Sequence, residues 1–232
     1  MASCSDTGNE ETDKPIVDST KKEAAPLSKS KKKEKKKITL LNKKKSTATI
    51  DDAAVMTTTS AAVENPAMIN QQADEINEYA AANGYSTKIC FLVDMTLPSG
   101  RNRFFVYDME SKTVIGAALV AHGCCNKSFI SHPVFSNAMD CGCTSIGKYK
   151  VGEFFHGTYG RSFRLYGMDN SNSNAFKRGV VIHGQDCVPD EEIYPRVLCN
   201  SFGCVMVSLN FFDKLAGIIR RTDKPIVLWV YG

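Results

Sequence analysis

From residue 88 onward the apolar residues arrive in short bursts, each closed by glycine, proline or charged turn residues. The bursts are KICFLVDM (88–95), RFFVYD (103–108), TVIGAALVAH (113–122), GKYKVGE (147–153), SFRLYG (162–167), GVVIHG (179–184) and KPIVLWVYG (224–232). They are rich in β-branched and aromatic residues and too short for ordinary helices, so they read as strands. Pro98-Ser99-Gly100 supplies a turn, and Met109–Lys112 joins two bursts as a hairpin. The chain is thereby held to a mainly β body.

Two segments keep a helical period. Ile69, Ala73, Ile76 and Ala80 line one face of a helix that Asn65 can cap, Pro66 can start and Gly84 can end. In LNFFDKLAGIIRR (209–221), Leu209, Phe212, Leu215, Ala216 and Ile219 are spaced for a second helix. The expected class is mainly β with flanking helices, over residues 65–232. That length is enough to enclose its own core.

Residues 1–64 read differently. KSKKKEKKK and LNKKKS are lysine blocks that repel and extend, and DDAAVMTTTSAAVENP has little to bury. We expect a disordered, lysine-rich tether. Residues 1–50 carry 13 lysines against seven acids, whereas the remaining residues carry 16 basic and 18 acidic side chains. The net charge of +4 therefore belongs to the tail. A nucleic-acid-binding globule would carry its positive charge on the fold, and no such partner is expected. Ala2-Ser3-Cys4 followed by polar residues is similar to the end of a bacterial lipobox, which makes Cys4 a candidate lipid attachment point and a membrane anchor. No stretch reaches the roughly 18 apolar residues of a membrane span.

The peptide RVLCNSFGCVMVS (196–208) holds two of the nine cysteines. Gly203 before Cys204 permits unusual backbone geometry and close substrate approach. A nucleophilic cysteine needs a partner that generates thiolate, usually histidine. Of the four histidines (His122, His132, His156 and His183), His183 ends a β-branched run beside Gly184 and is placed to face a cleft. His122 precedes Gly123 in the same way, but no Gly-Cys loop follows it, so it reads as structural or cleft-lining. Cys124-Cys125 and Cys141-x-Cys143 lack ordinary zinc-ligand spacing, and no metal is expected. Disulfides are open to these cysteines, Cys187 with Cys199 being one pairing.

VIHG, then 16 residues, then SFGC resembles the signature of the murein L,D-transpeptidase (YkuD-like) family. The resemblance extends through GKYKVGE and SFRLYG and runs in order from about Asn65 to Gly232. It implies the L,D-transpeptidase catalytic-domain fold, with a β-sandwich-like body. It implies Cys204 as nucleophile, His183 as base and the Gly184 carbonyl as the group orienting the imidazole. Backbone amides of Phe202, Gly203 and Cys204 would form an oxyanion hole, with Ser201 shaping the loop. Arg164 and Arg178 are candidates for holding a stem carboxylate, and each is equally a surface ion-pair residue. Many relatives carry histidine where Phe202 stands, and asparagine or arginine where Met206 stands.

The implied activity is acyl transfer through a thioester on peptidoglycan stem peptides in the bacterial cell envelope, or periplasm, without cofactor. The alternatives are an L,D-carboxypeptidase, a non-catalytic peptidoglycan-binding module on the same fold, and a papain-type thiol hydrolase. The order of histidine before cysteine and the β-rich pattern count against the last.

Overall fold

A computed structural model describes residues 66–232. The lysine-rich tether, Cys4 and the Asn65 cap lie outside the described residues. The elements are α1 (Pro66–Asn83), β1 (Ile89–Asp94), β2 (Phe104–Asp108), β3 (Thr113–Ala118), β4 (Gly147–Gly157), β5 (Gly160–Gly167), a 3-10 turn (Asn170–Asn172), β6 (Val181–Gly184), β7 (Val205–Val207), α2 (Leu209–Arg221) and β8 (Val227–Tyr231). The strands form one eight-stranded mixed sheet in the order β3-β2-β1-β8-β4-β5-β6-β7. Only β1 with β8 and β6 with β7 run parallel. Neither helix is long and apolar enough to cross a membrane.

The two helices cover opposite faces. Ile69, Ala73, Ile76 and Ala80 of α1 pack on Cys90, Leu92, Phe105, Tyr107 and Val227. Gly84, at φ +76°, ends the helix while the Tyr85 amide donates to the Ala80 carbonyl. A left-handed residue at this place suits glycine because it has no Cβ.

The alternate residues of the same strands face α2. Phe91 and Phe104 at one side of the sheet share a core with Phe163, Ile182 and Val205 at the other. Phe104 meets Phe211 edge-on at 5.3 Å, and Phe163 meets Phe212 at 5.8 Å. One face can feed a single core from both sides only if the sheet curls around α2, and this gives the body its sandwich-like character. Each buried phenylalanine or leucine on α2 contributes about 1.5–3 kcal/mol.

Two sequence expectations shift. Leu209 is 46% exposed and Phe211 is buried in its place. Ser208 caps α2 by accepting from the Phe211 amide, so Leu209 opens the helix at its first turn, away from the core. Ile219 is only partly buried against the core. The three-residue β7 did not stand out as a strand from its sequence.

Candidate active site

His183 sits in β6 with Ser162 of β5 opposite it on one side and Met206 of β7 on the other. It is 2% exposed. Its Nδ1 lies 3.2 Å from the Gly184 carbonyl oxygen. A carbonyl only accepts, so Nδ1 carries the hydrogen and Nε2 keeps its lone pair. Burial lowers the imidazole pKa, and the Gly184 bond partly offsets this. At neutral pH His183 is therefore a neutral ring with a free basic nitrogen. Tyr159, from the tight β4–β5 turn, stacks on it with centroids 4.6 Å apart and planes at 16°.

Cys204 immediately precedes β7. It lies two residues from Met206 and so on the sheet face that His183 occupies. His183, Cys204, Ser201, Phe202, Met206, Gln185 and Tyr159 line one narrow pocket. The sulfur stands 3.9 Å from the Gly179 carbonyl oxygen and is hydrogen-bonded by the Val181 amide. Burial pushes the thiol up to about 11, against the pull of the Val181 amide and of Arg178. In this geometry Cys204 is a protonated thiol turned toward Gly179, and the two side chains share a pocket without a hydrogen bond between them.

The turn before the cysteine is clamped. Ser201 Oγ accepts from the Gly203 amide at 3.1 Å and donates to the Cys204 carbonyl at 2.9 Å. Gly203 has φ +101°, and a Cβ there would come within 2.5 Å of the Cys143 carbonyl oxygen. Conformation and space both require glycine at this position. The Phe202 side chain points out and is 43% exposed.

Both candidate arginines have partners within the chain. Arg178 Nη1 donates to the Ser136 carbonyl at 3.0 Å, and Nη2 donates to the Cys143 carbonyl beneath the turn. Arg164 pairs with Glu153 at 3.0 Å.

A second layer went unread in the sequence. Arg103 is fully buried. Its Nε and Nη2 donate to the Val120 carbonyl, Nη1 to the Leu97 carbonyl, and Nη2 also to His122 Nδ1 at 2.9 Å. Burial lowers the arginine to about 10, so it stays cationic at neutral pH. A guanidinium only donates, so His122 Nδ1 is bare and its Nε2–H points at the Ile130 carbonyl, 3.2 Å away. Burial and then the Arg103 charge push His122 down to about 4. The His122 carbonyl accepts from the Ser201 amide at 2.9 Å, and Asn200 Oδ1 accepts from the Ile130 amide at 2.8 Å. The turn that carries Cys204 thus hangs on this network. The repeated His-Gly pair, at 122–123 and 183–184, was the one available signal.

Among the described residues, two disulfides have both partners beside the site. Cys187–Cys199 spans the segment between His183 and the turn, and Cys125–Cys143 closes a neighbouring loop.

A family model for the L,D-transpeptidase catalytic domain matches residues 60–231. Among solved structures, the chain is similar to an L,D-transpeptidase from Xylanimonas cellulosilytica DSM 15894, with 15% identity, 66% of this chain and 68% of that one covered, and a TM-score of 0.37. For an L,D-transpeptidase from Mycobacterium tuberculosis H37Rv the values are 12%, 62%, 58% and 0.38. For the helical cell shape determining protein Pgp2 from Campylobacter jejuni they are 16%, 69%, 55% and 0.35. The chain thus spans little more than half the length of the latter two. No curated protein matches it. Because the matched segment takes in every strand and both helices, the chain belongs to the L,D-transpeptidase catalytic-domain family.

Proposed function

We propose that this chain is a cysteine L,D-transpeptidase acting on peptidoglycan stem peptides in the cell envelope. The reading is carried by one observation: His183, neutral with Nδ1–H donated to Gly184, lines the same pocket as Cys204. Rotation of the Cys204 side chain away from Gly179 brings the thiol toward His183 Nε2. The imidazole takes the proton, and the thiolate attacks the carbonyl of the diamino acid at the third stem position. The Gly203 amide is held by Ser201. The amides of Phe202 and Cys204 are the donors left to steady the oxyanion. The imidazolium returns the proton to the departing D-alanine nitrogen, leaving a thioester. An amine, from a second stem or a free D-amino acid, then attacks the thioester and releases the thiol. Water in place of the amine makes the activity a carboxypeptidase. Arg178 acts by holding the loop beneath the turn and by favouring thiolate through its charge.

Incubation with a synthetic tetrapeptide stem and intact-mass analysis tests this. An acyl adduct on wild type, absent in Cys204→Ala, supports the reading; a folded wild type that forms no adduct with stem or carbapenem refutes it. That second outcome favours a non-catalytic binding module, the reading to which the raised thiol pKa lends support. Cys4 is proposed as the lipid anchor, with residues 1–64 as the tether. Membrane partitioning that is lost in Cys4→Ala tests this separately.

A further inference from the structure

The sheet face that holds His183 and Cys204 continues onto β5 and β4. Ser162, Arg164 and Tyr166 alternate with the core residues Phe163 and Leu165, so the three share that face. Ser162 stands opposite His183, and Arg164 opposite Val181, whose amide holds the Cys204 sulfur. On β4, Phe155 faces Ser162 and Lys150 faces Tyr166.

These side chains build an ordered stack. The β4–β5 register shifts between Val151 and Phe154. Gly152, in that bulge, lets Tyr166 lie across the strand, since a Cβ there would meet its ring at 2.5 Å. Phe176 stacks on Tyr166 with centroids 5.1 Å apart and planes at 11°. The Arg164 guanidinium lies 4.3 Å over Phe155 and 5.6 Å over Phe176, and Lys150 Nζ lies 4.4 Å over Tyr166. Glu153 pairs with Arg164 and accepts from the Tyr166 hydroxyl at 2.8 Å. Phe176, on top, is 50% exposed. The result is a flat aromatic face in water, fixed from below and rimmed by hydrogen-bonding groups.

Glu153 offsets the Arg164 charge and Lys150 lies over Tyr166, so the exposed surface the stack presents is the uncharged ring of Phe176. A pyranose ring fits: its C–H face is apolar and packs on an aromatic face, while its hydroxyl and N-acetyl groups meet the polar rim. Position agrees with this. Tyr166 lies one strand over and two residues along from Val181, about 8 Å away from spacings of roughly 4.8 and 3.4 Å. An extended tripeptide spans about 10 Å. A stem with its third residue at Cys204 is therefore long enough to bring its sugar end to this stack.

We propose that the Phe176–Tyr166–Arg164 stack is a subsite for the N-acetylhexosamine strand that bears the stem peptide. This rests on the peptidoglycan reading above and adds the glycan as a recognised part of the substrate. The test compares kcat/KM of wild type and Phe176→Ala, full chain, on a disaccharide-tetrapeptide and on the sugar-free tetrapeptide. Phe176→Ala is expected to lose about five- to tenfold on the sugar-bearing substrate, the scale of one aromatic contact, and less than about twofold on the free peptide. An equal loss on both places peptide on the stack and overturns the proposal, as does no loss on either. Should neither substrate turn over, NMR titration with N-acetylglucosamine tetraose decides. Binding by wild type that weakens in Phe176→Ala supports the subsite, and no binding overturns it.

Discussion

Replacing Arg103 with methionine keeps most of the side-chain volume and removes the guanidinium. Three acceptors then lose their donor: the buried Val120 carbonyl and His122 Nδ1, and the half-buried Leu97 carbonyl. Each orphaned acceptor costs about 1–3 kcal/mol. Asp94, only 4% exposed, also loses the nearby positive charge. Against this, the variant no longer buries a cation, which returns part of the loss. The balance is a destabilisation of roughly 4 kcal/mol, within the range for breaking a buried charged network. For a domain of this size that lowers Tm by about 8–16 °C. Differential scanning calorimetry at neutral pH reads it. Arg103→Lys should recover only a fraction, because an ammonium cannot reach carbonyls on both sides at once. A Tm for Arg103→Met within about 2 °C of wild type would refute the view that this network holds the turn that carries Cys204.

Four further outcomes follow from the same geometry. His122 has a folded pKa of about 4, below its unfolded value, so the unfolded chain takes up the proton first. Stability then falls as pH drops from about 6.5 to 4, by up to roughly 3 kcal/mol from this residue; urea midpoints against pH should show the slope in wild type and a shallower one in His122→Asn. The Cys187→Ser/Cys199→Ser pair removes a closure over a sequence separation of 12 and should cost about 3 kcal/mol in denaturant unfolding. Gly203→Ala should cut turnover at least about 10²-fold while the far-UV circular dichroism stays native, because the added Cβ displaces the turn from Cys143. Cys204→Ala should abolish turnover and leave Tm within a few degrees of wild type.

What could be read from sequence was set by local period. All four apolar residues chosen for α1 are its buried residues, and its end at Gly84 follows from the one left-handed position the helix needs. Short apolar runs closed by turn residues, such as 88–95, gave strands because they are too short for helices. Val205–Val207 did not, because three residues carry no period and owe their strand to β6 alongside. Leu209 was misplaced because the Ser208 cap decides which residue starts the helix, and spacing alone does not reveal a cap. His183, Gly184, Ser201, Gly203 and Cys204 stood out through the family resemblance of two short peptides, and of these His183, Ser201 and Cys204 line one pocket. Arg103 did not stand out, since a charged residue beside a strand ordinarily points to water, and only long-range packing turns it inward. The aromatic stack was equally hidden: it depends on the bulge at Gly152, which shifts the β4–β5 register by an amount no local pattern announces.

The parallel pairing of β6 with β7 carries a consequence for how this domain can change. Main-chain hydrogen bonds between two adjacent strands set the register of His183 and Cys204. The chain between them serves as a crossover, and parallel neighbours cannot be joined by a tight hairpin. Its length and composition are therefore decoupled from the separation of the two groups. Exchanges within 189–197 should leave the spacing of the pair fixed, provided that Asp190, which accepts from Ser208 at the start of α2, and Ile193, which packs with Val188 and Leu198, are kept.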